Sequence, residues 1–296
     1  MKEKTIYALG FFDGVHLGHQ MLLAACQHLA EENDCQSGAV TFTSHPDALV
    51  SGAAPALLNT SEERRQLLAA YGMDALLELS FDQEMMSTPW SVFLTWLINQ
   101  GAAGFVCGED FRFGAKGEGS AEKLAAFCEE QNLPYIVVKE QVVDGEKISS
   151  TRIRALLEQG DVEQANRLLG HPHMLTGTVV SGQQLGRTIG FPTANLVLPE
   201  GLLIPKFGVY ACQVSINYEQ DYAAVANIGT RPTVNGTAPL MELHLLDFEG
   251  DLYGKELLVT LHAFLRPEQK FNSLDELQAE IQKNVQQTRN FFEESE

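Results

Sequence analysis

The first half of the chain alternates apolar runs of strand length with stretches of helical periodicity, and no other feature restricts the fold as much. Strand-like runs occupy residues 5–9, 39–43, 75–79, 104–107 and 135–139, with helical patterns at 21–31, 61–71, 89–99 and 121–131 between them. Strands separated by helices of this length predict a parallel sheet covered on both faces. Ligands of such sheets bind outside the carboxyl ends of strands. Gly10-Phe11-Phe12-Asp13-Gly14-Val15-His16-Leu17-Gly18-His19 stands at one such end, between the first strand and the first helix. The first N–H groups of a helix lack intrahelical partners and the helix dipole favours negative charge there, so this order builds an anion site. Gly14 and Gly18 let backbone approach a ligand where a Cβ would intrude. His16 and His19 stand three apart, so a helix beginning near His16 puts both on one face. There two imidazoles can donate hydrogen bonds to phosphoryl oxygens. A cap residue paired with an ordinary histidine is the simpler alternative.

Composition narrows the partners. At 296 residues the chain is long enough for two cores, and 45% hydrophobic with 20% charged residues is ordinary for a globular protein. The net charge of −19 argues against a nucleic-acid partner. It also means that an anionic nucleotide must be held by local donors and a metal cation rather than drawn in by the global field. No apolar run approaches the roughly 18 residues of a membrane span. Met1-Lys2-Glu3-Lys4 leads straight into the first strand pattern without a signal-peptide core. Cys26, Cys35, Cys107, Cys128 and Cys212 form no CxxC pair and read as reduced thiols. The expectation is a cytoplasmic protein without a membrane partner, monomeric or weakly oligomeric.

Three further segments of the first half carry polar chemistry. Thr41-Phe42-Thr43-Ser44-His45-Pro46 ends the second strand, and His45 reads equally as a turn residue or a functional one. Gly108-Glu109-Asp110-Phe111-Arg112-Phe113-Gly114 follows the fourth strand and suits a nucleoside or an aromatic ring system, as it would a plain loop. Ile148-Ser149-Ser150-Thr151-Arg152-Ile153-Arg154 opens a helix through Gln159. Its hydroxyls suit a helix N-terminus, but two arginines in the first turn oppose the dipole. Such a local conflict often marks function, and here a bound polyphosphate would resolve it. Another helix starts at Gly160-Asp161 and ends near Leu169-Gly170. The domain boundary is expected after it, giving domains 1–170 and 171–296, with His171 and His173 as linker residues rather than metal ligands.

The second half changes character. Strand candidates at 175–180, 208–216, 222–228, 240–247 and 256–265, then an amphipathic helix at 274–292 capped by Ser273, predict a small β-barrel with a terminal helix. Pro192 keeps Phe191 extended, so Thr193 and Asn195 point the same way. A hydroxyl and an amide oxygen on one side suit a hard cation such as Mg²⁺, although Pro-Thr-x-Asn is also a common structural turn. Around residue 242 the strand alternates strictly: Met241, Leu243 and Leu245 share one face, Glu242 and His244 the other. A carboxylate fixed on a strand can take a proton from an attacking hydroxyl, or simply face solvent.

Taken in order, these segments resemble the bifunctional riboflavin kinase/FAD synthetase family. Phe12 to His19 resembles the HxGH signature of nucleotidyltransferases, and Ile148 to Arg154 their ISSTxxR signature. Gly186-Arg187-Thr188-Ile189-Gly190-Phe191-Pro192-Thr193-Ala194-Asn195 is similar to the kinase motif GRxxGFPTAN. Glu242-x-His244-x-x-Asp247-Phe248 with Asp251-Leu252-Tyr253-Gly254, Asn227 to Thr233 and Arg266 to Phe271 complete the likeness. The resemblance implies a Rossmann-like adenylylating domain, then a small-barrel kinase domain, acting on riboflavin, FMN, FAD and ATP with Mg²⁺. It implies catalytic roles for His16, His19 and Arg154 in one domain and for Glu242, as base, in the other. It implies that Gly10, Phe12, Gly14, Gly18, Ser149, Ser150 and Thr151 contact one ATP, and Gly182, Gly186 and Arg187 the other. Asp110, Phe113, Arg266 and Glu268 would meet flavin, with Phe113 packed on the isoalloxazine, and Thr193 and Asn195 would hold the metal. The chain departs from the family at Phe11, at Glu118, and at His171 and His173. Loss of one activity, or a silent flavin-binding regulator, stays open as an alternative.

Overall fold

The computed structural model describes residues 4–181, 190–217, 220–233 and 236–294, with backbone alone for those between 231 and 238. By packing, the chain divides into two compact units, Met1–Ser150 and Thr151–Glu296.

The first unit runs β1 (Thr5–Leu9), α1 (Leu17–Glu32), β2 (Gln36–Phe42), α2 (Asp47–Val50), α3 (Ser61–Ala70), β3 (Ala75–Leu79), α4 (Gln83–Ser87), α5 (Trp90–Gln100), β4 (Ala102–Gly108), α6 (Ala121–Gln131) and β5 (Tyr135–Val138). A short hairpin, β6 (Val142–Val143) and β7 (Glu146–Lys147), follows. The five strands β1 to β5 form a parallel sheet in the order β3-β2-β1-β4-β5. Every residue of β1 is buried, as expected for a central strand covered on both faces. α1 packs its stripe of Leu22, Leu23, Cys26, Leu29 and Ala30 against the sheet, the spacing of a helix with one apolar face. A capping box of Thr60 and Glu63 starts α3, and Gly101, in the left-handed region at φ 114°, ends α5. The chain leaves β1 for β2 on one side and later enters β4 on the other. The crevice outside the carboxyl ends of β1 and β4 is therefore the topological switch point, where sheets of this kind hold ligands.

The second unit holds α7 (Ser150–Gln159, its first residue in the first unit), α8 (Val162–Leu169), β8 (His173–Val180), β9 (Ala194–Val197), β10 (Gly208–Ile216), β11 (Gln220–Thr233), β12 (Gly236–Leu245), β13 (Glu256–Pro267) and a closing helix, Leu274–Glu293. Its strands close into an antiparallel barrel in the order β10-β11-β12-β9-β8-β13. Ser273 caps the closing helix by accepting from Glu276 N. α7 and α8 pack on the barrel. Asn166 Nδ2 donates to Leu261 O at 2.8 Å, and Lys206 N donates to Leu157 O at 3.0 Å. For that reason the packing boundary falls at 150/151, ahead of these helices.

His173 is a correction to the sequence reading. It opens β8 opposite Leu261, is 2% exposed, and donates its backbone N–H to Asn166 Oδ1. A polar residue in front of the apolar alternation hid the true start of the strand. Burial, with a smaller contribution from His171, pushes its pKa down to about 3.

Candidate active sites

In the first unit the turn between β1 and α1 is built from strained backbone held by neighbours. Phe12 (φ 59°), Gly14 (φ 80°) and Val15 (φ 39°) all adopt positive φ, which a β-branched residue such as Val15 rarely does. Val15 N donates to Phe12 O at 3.1 Å inside the turn. Thr41 Oγ1 at the end of β2 donates to Phe11 O at 2.9 Å. Gly14 N donates to Asn59 Oδ1 at 3.2 Å, and Leu58 N donates to Asp13 Oδ1 at 2.9 Å. Ser150 Oγ, from the second signature, donates to Asp13 O at 2.9 Å. Local strain of this kind persists only where its surroundings over-determine it, and it clusters at functional sites.

The turn delivers the two histidines to the start of α1. His16 is the N-cap, and its Nδ1 accepts from His19 N at 3.3 Å. The two rings stack at 3.7 Å between centroids, and the Phe12 ring meets His19 edge-on at 5.4 Å. A Cβ on Gly18 would come within 3.2 Å of the His16 ring, which explains the glycine between them. Burial, and to a lesser degree His16, holds the His19 pKa well below that of a free histidine. His19 is thus a neutral imidazole at neutral pH, a donor without charge. Phe12 is fully buried, so its side chain buttresses His19 from behind, while Gly10 closes β1 by donating to Val40 O at 3.2 Å.

The loop after β4 sits at the other lip of the switch point. Asp110 is exposed there in an ion pair with Lys147, which also binds Glu140. Phe113 is 7% exposed and packs within the core of Trp90, Phe93 and Leu124. Its neighbour Phe111 stacks on it at 5.5 Å and stays half-buried. Ser149 and Ser150 lie at the start of α7, with Thr151 exposed and Arg154 half-buried in its first turns.

In the second unit the site lies on the outer wall of the barrel. Met241 and Leu243 are fully buried and Leu245 is nearly so, whereas Glu242 and His244 face the opposite way, as the alternation predicts. Register puts Glu242 opposite Asn195 on β9 and opposite Asn227 on β11. The closing helix covers this wall and leaves a cavity of about 250 Å³, near the lower end of small-molecule sites at roughly 300 Å³. Thr193, Glu242, Arg266 and Glu268 all line it. The apolar part comes from Phe191, Val209, Val225 and Ile281. A smaller cavity of about 90 Å³ opens beside Leu252 and Tyr253, and Thr193 lines both. Asn195, 5% exposed, sets its amide two residues along the strand from the Thr193 hydroxyl. A hydroxyl and a buried amide, with the Glu242 carboxylate paired opposite by register, are oxygen donors of the kind that could hold a hard divalent cation. Gly182, Gly186 and Arg187 lie outside the described residues.

Secondary contacts fix these groups. His244 Nδ1 lies 2.9 Å from Pro192 O and its ring meets Phe191 edge-on at 5.3 Å, pinning the segment that carries Thr193. Arg266 Nε donates to Asn284 Oδ1 at 3.1 Å while its guanidinium lies over the Phe271 ring. Burial lowers the Arg266 pKa, opposed by Glu280. A Cβ at Gly229 would collide with the Glu268 carboxylate, so that glycine makes room for it. Asn284, Asn59 and Arg64 were not read from the sequence. Asn284 had a signal, a polar residue within the apolar stripe of Leu277, Ile281 and Val285. Asn59 and Arg64 had none, since an arginine at the start of a helix ordinarily faces water.

Comparison with known proteins agrees in both halves. The family model described as FAD synthetase matches residues 1–152, and that described as riboflavin kinase matches residues 169–292. The chain is 37% identical over 291 residues to the bifunctional riboflavin kinase/FMN adenylyltransferase of Listeria monocytogenes, covering 97% of this chain and 92% of that protein. It is 38% identical over 294 residues to the protein of the same description from Escherichia coli K12, with 98% and 94% covered. A solved structure from Streptococcus pneumoniae, described as a macrolide-efflux protein, superposes with a TM-score of 0.90 at 32% identity over 98% of this chain and 95% of that one. Among the described residues of this chain no helix is long and apolar enough to cross a membrane.

Proposed function

Because the chain belongs to the bifunctional riboflavin kinase/FMN adenylyltransferase family, converting riboflavin to FMN and FMN to FAD with ATP, we propose how its residues divide that work. The carrying observation is the convergence of Thr193, Glu242, Arg266 and Glu268, distant in sequence, on one cavity of the barrel wall. Riboflavin binds there, its ring against the apolar wall and its polar edge toward Arg266 and Glu268. The ribityl chain runs toward Glu242, which takes the proton of the terminal hydroxyl as that oxygen attacks the γ-phosphorus of ATP, with ADP leaving. ATP lies on the side of the smaller cavity, so that Thr193 stands between the two substrates.

Families of this kind use ATP with a divalent cation, and we assign Mg²⁺ to Thr193 and Asn195. When bound, the ion neutralises phosphate charge. The protein's own contribution is to fix a hydroxyl and a buried amide beside the base.

Adenylylation is assigned to residues 1–170 and phosphorylation to 171–296, although α7 and α8 pack with the barrel. An FMN phosphate oxygen attacks the α-phosphorus of a second ATP and pyrophosphate leaves, without a protein nucleophile. His16 and His19 donate to the phosphoryl oxygens at the start of α1, and Arg154 with Ser149, Ser150 and Thr151 binds the remaining phosphates. Asp110 contacts flavin or nucleotide from the β4 loop. Cys26, Cys107, Cys128 and Cys212 are free and buried, which supports a reducing cytoplasmic compartment.

The test is a chromatographic product assay with MgATP and either riboflavin or FMN. FAD from both, with FMN appearing on the way from riboflavin, is the expected result. Flavin binding without conversion would overturn the enzyme reading in favour of a regulator.

A further inference from the structure

Buried polar atoms without a partner gather around the histidine turn. Among the described residues they include His19 Nδ1, Asn59 Nδ2, Arg64 Nε and Arg64 Nη1. Arg64 stands out among them. Its side chain is 1% exposed, and the capping box of Thr60 and Glu63 fixes the helix start from which it projects. Nη2 donates to Phe42 O at 2.7 Å, at the end of β2. Its guanidinium carbon lies 4.5 Å from the centroid of the Phe11 ring, whose edge contact on the other side is His45 at 4.7 Å. The carboxylates that act on it are Asp13 and Glu78.

Phe11 and Asp13 flank Phe12, the first left-handed residue of the turn. One buried cation therefore packs on the ring that precedes the strained segment, with Glu78 Oε1 3.9 Å from its Nη2 and the charge of Asp13, within the segment, also acting on it. Asp13 is itself a junction: Oδ1 accepts from Leu58 N, and its carbonyl accepts from Ser150 Oγ. A guanidinium buried with two nitrogens unmatched is a poor choice for stability alone, because a packed apolar side chain would avoid the desolvation. Holding a strained catalytic turn in one shape is a demand that such a group can meet.

We propose that Arg64 is a positioning residue for adenylyl transfer: set against the Phe11 ring and tied to the end of β2 through Phe42 O, it holds residues 12–15 in the shape that presents His16 and His19 to the phosphates. The inference rests on the assignment of FAD formation to this unit.

The experiment compares native chain, Arg64→Met and Arg64→Lys at full length, reading kcat and KM for FAD formation from FMN and for riboflavin phosphorylation. A misplaced catalytic group costs about 10²-fold in rate, so Arg64→Met is expected to lose about that factor in kcat for FAD formation. KM for ATP and FMN should move less than about threefold, the signature of a lost transition-state arrangement rather than lost binding. Arg64→Lys keeps the charge without the planar fork and should recover about tenfold of the loss. Riboflavin phosphorylation should be native in both variants. Native kcat for FAD formation in Arg64→Met would overturn the proposal, as would a loss confined to KM. Should Arg64→Met melt below the assay temperature, Arg64→Lys decides alone: native kcat overturns the proposal, and a loss of about tenfold at native KM upholds it. A native chain that makes no FAD would overturn the underlying assignment, a failure distinct from an active Arg64→Met.

Discussion

The two candidate sites are built by opposite means. In the first unit the chemistry sits on consecutive residues, and the fold's task is to force their backbone into left-handed conformations and hold it there with Thr41, Leu58, Asn59 and Ser150. In the second, each candidate residue among those described lies on a strand or beside a strand end, and register does the work of bringing Asn195, Asn227 and Glu242 side by side. A site made of a strained turn is sensitive to anything that relaxes its backbone. A site made of register tolerates local change, and it fails when the one group with a chemical role is removed.

The largest effect that tests this contrast is Glu242→Gln. It keeps the strand, the register and nearly the shape, and removes the carboxylate proposed as the base. General-base removal costs about 10² to 10⁴ in rate, so riboflavin phosphorylation should fall by that factor while FAD formation from FMN is untouched. A Glu242→Gln chain with native phosphorylation would remove Glu242 from the chemistry and leave the cavity a binding site only.

Gly14→Ala makes the complementary test. Gly14 lies at φ 80°, where an L-residue costs about 1–2 kcal/mol, so the first unit should lose about that much stability. FAD formation should drop about tenfold, because the turn relaxes away from the geometry that carries the histidines. The same substitution at Gly190, at φ 82° but with no atom of the described residues within 4 Å of its Cβ position, lies beside the barrel site. Riboflavin phosphorylation is expected to bear that change better than FAD formation bears Gly14→Ala. Equal losses would erase the distinction between the two kinds of site.

How much of this was legible in sequence follows the same division. The histidine turn was readable because its residues are contiguous and its glycines sit where a Cβ would collide, as at Gly18. The alternation through Glu242 was also readable, since period two assigns faces without knowledge of partners. What could not be read was which side chains a fold brings to a site from elsewhere: Asn59 and Arg64 behind the turn, Asn284 on the closing helix. The same limit applies to the loop after β4: the turn geometry that packs Phe113 into the core and leaves Phe111 half-buried is not written in composition. Arg64 was invisible because nothing in its neighbourhood reveals that a charged residue will be buried.

Acidification sharpens the comparison through two histidines held neutral, His19 in the first turn of α1 and the buried His173 at the start of β8. The folded-state pKa of His173 is about 3, below the roughly 6.5 of an unfolded chain. Between those values the unfolded state binds more protons, so stability declines as pH falls from about 6.5 toward 3 and is full above that window. His173→Leu should flatten this decline in the second unit and leave the response of the first unit unchanged, as followed by urea melts between pH 7 and 4. For FAD formation the sign is different. His19 is already neutral at pH 7, so kcat/KM should not fall as pH rises through 6.5, the loss that a catalytic imidazolium would produce.

The smallest effect concerns the closing helix. Arg289 donates to both carboxylate oxygens of Asp247 at 2.8 Å, tying the helix to the turn that follows β12. The hydrogen bonds with Arg289 hold the Asp247 carboxyl below its ordinary pKa, against a small opposing effect of burial. Both partners are exposed, 72% for Asp247 and 40% for Arg289, so water and salt screen the pair. The apolar contacts of Ile281 and Val285 with the barrel wall, not this ion pair, therefore hold the closing helix over the cavity. Arg289→Met should raise KM for riboflavin less than about threefold, shrinking further at high salt, with kcat unchanged. A larger rise would mean that the helix is poised to open, and the barrel site would then depend on a held segment as the histidine turn does.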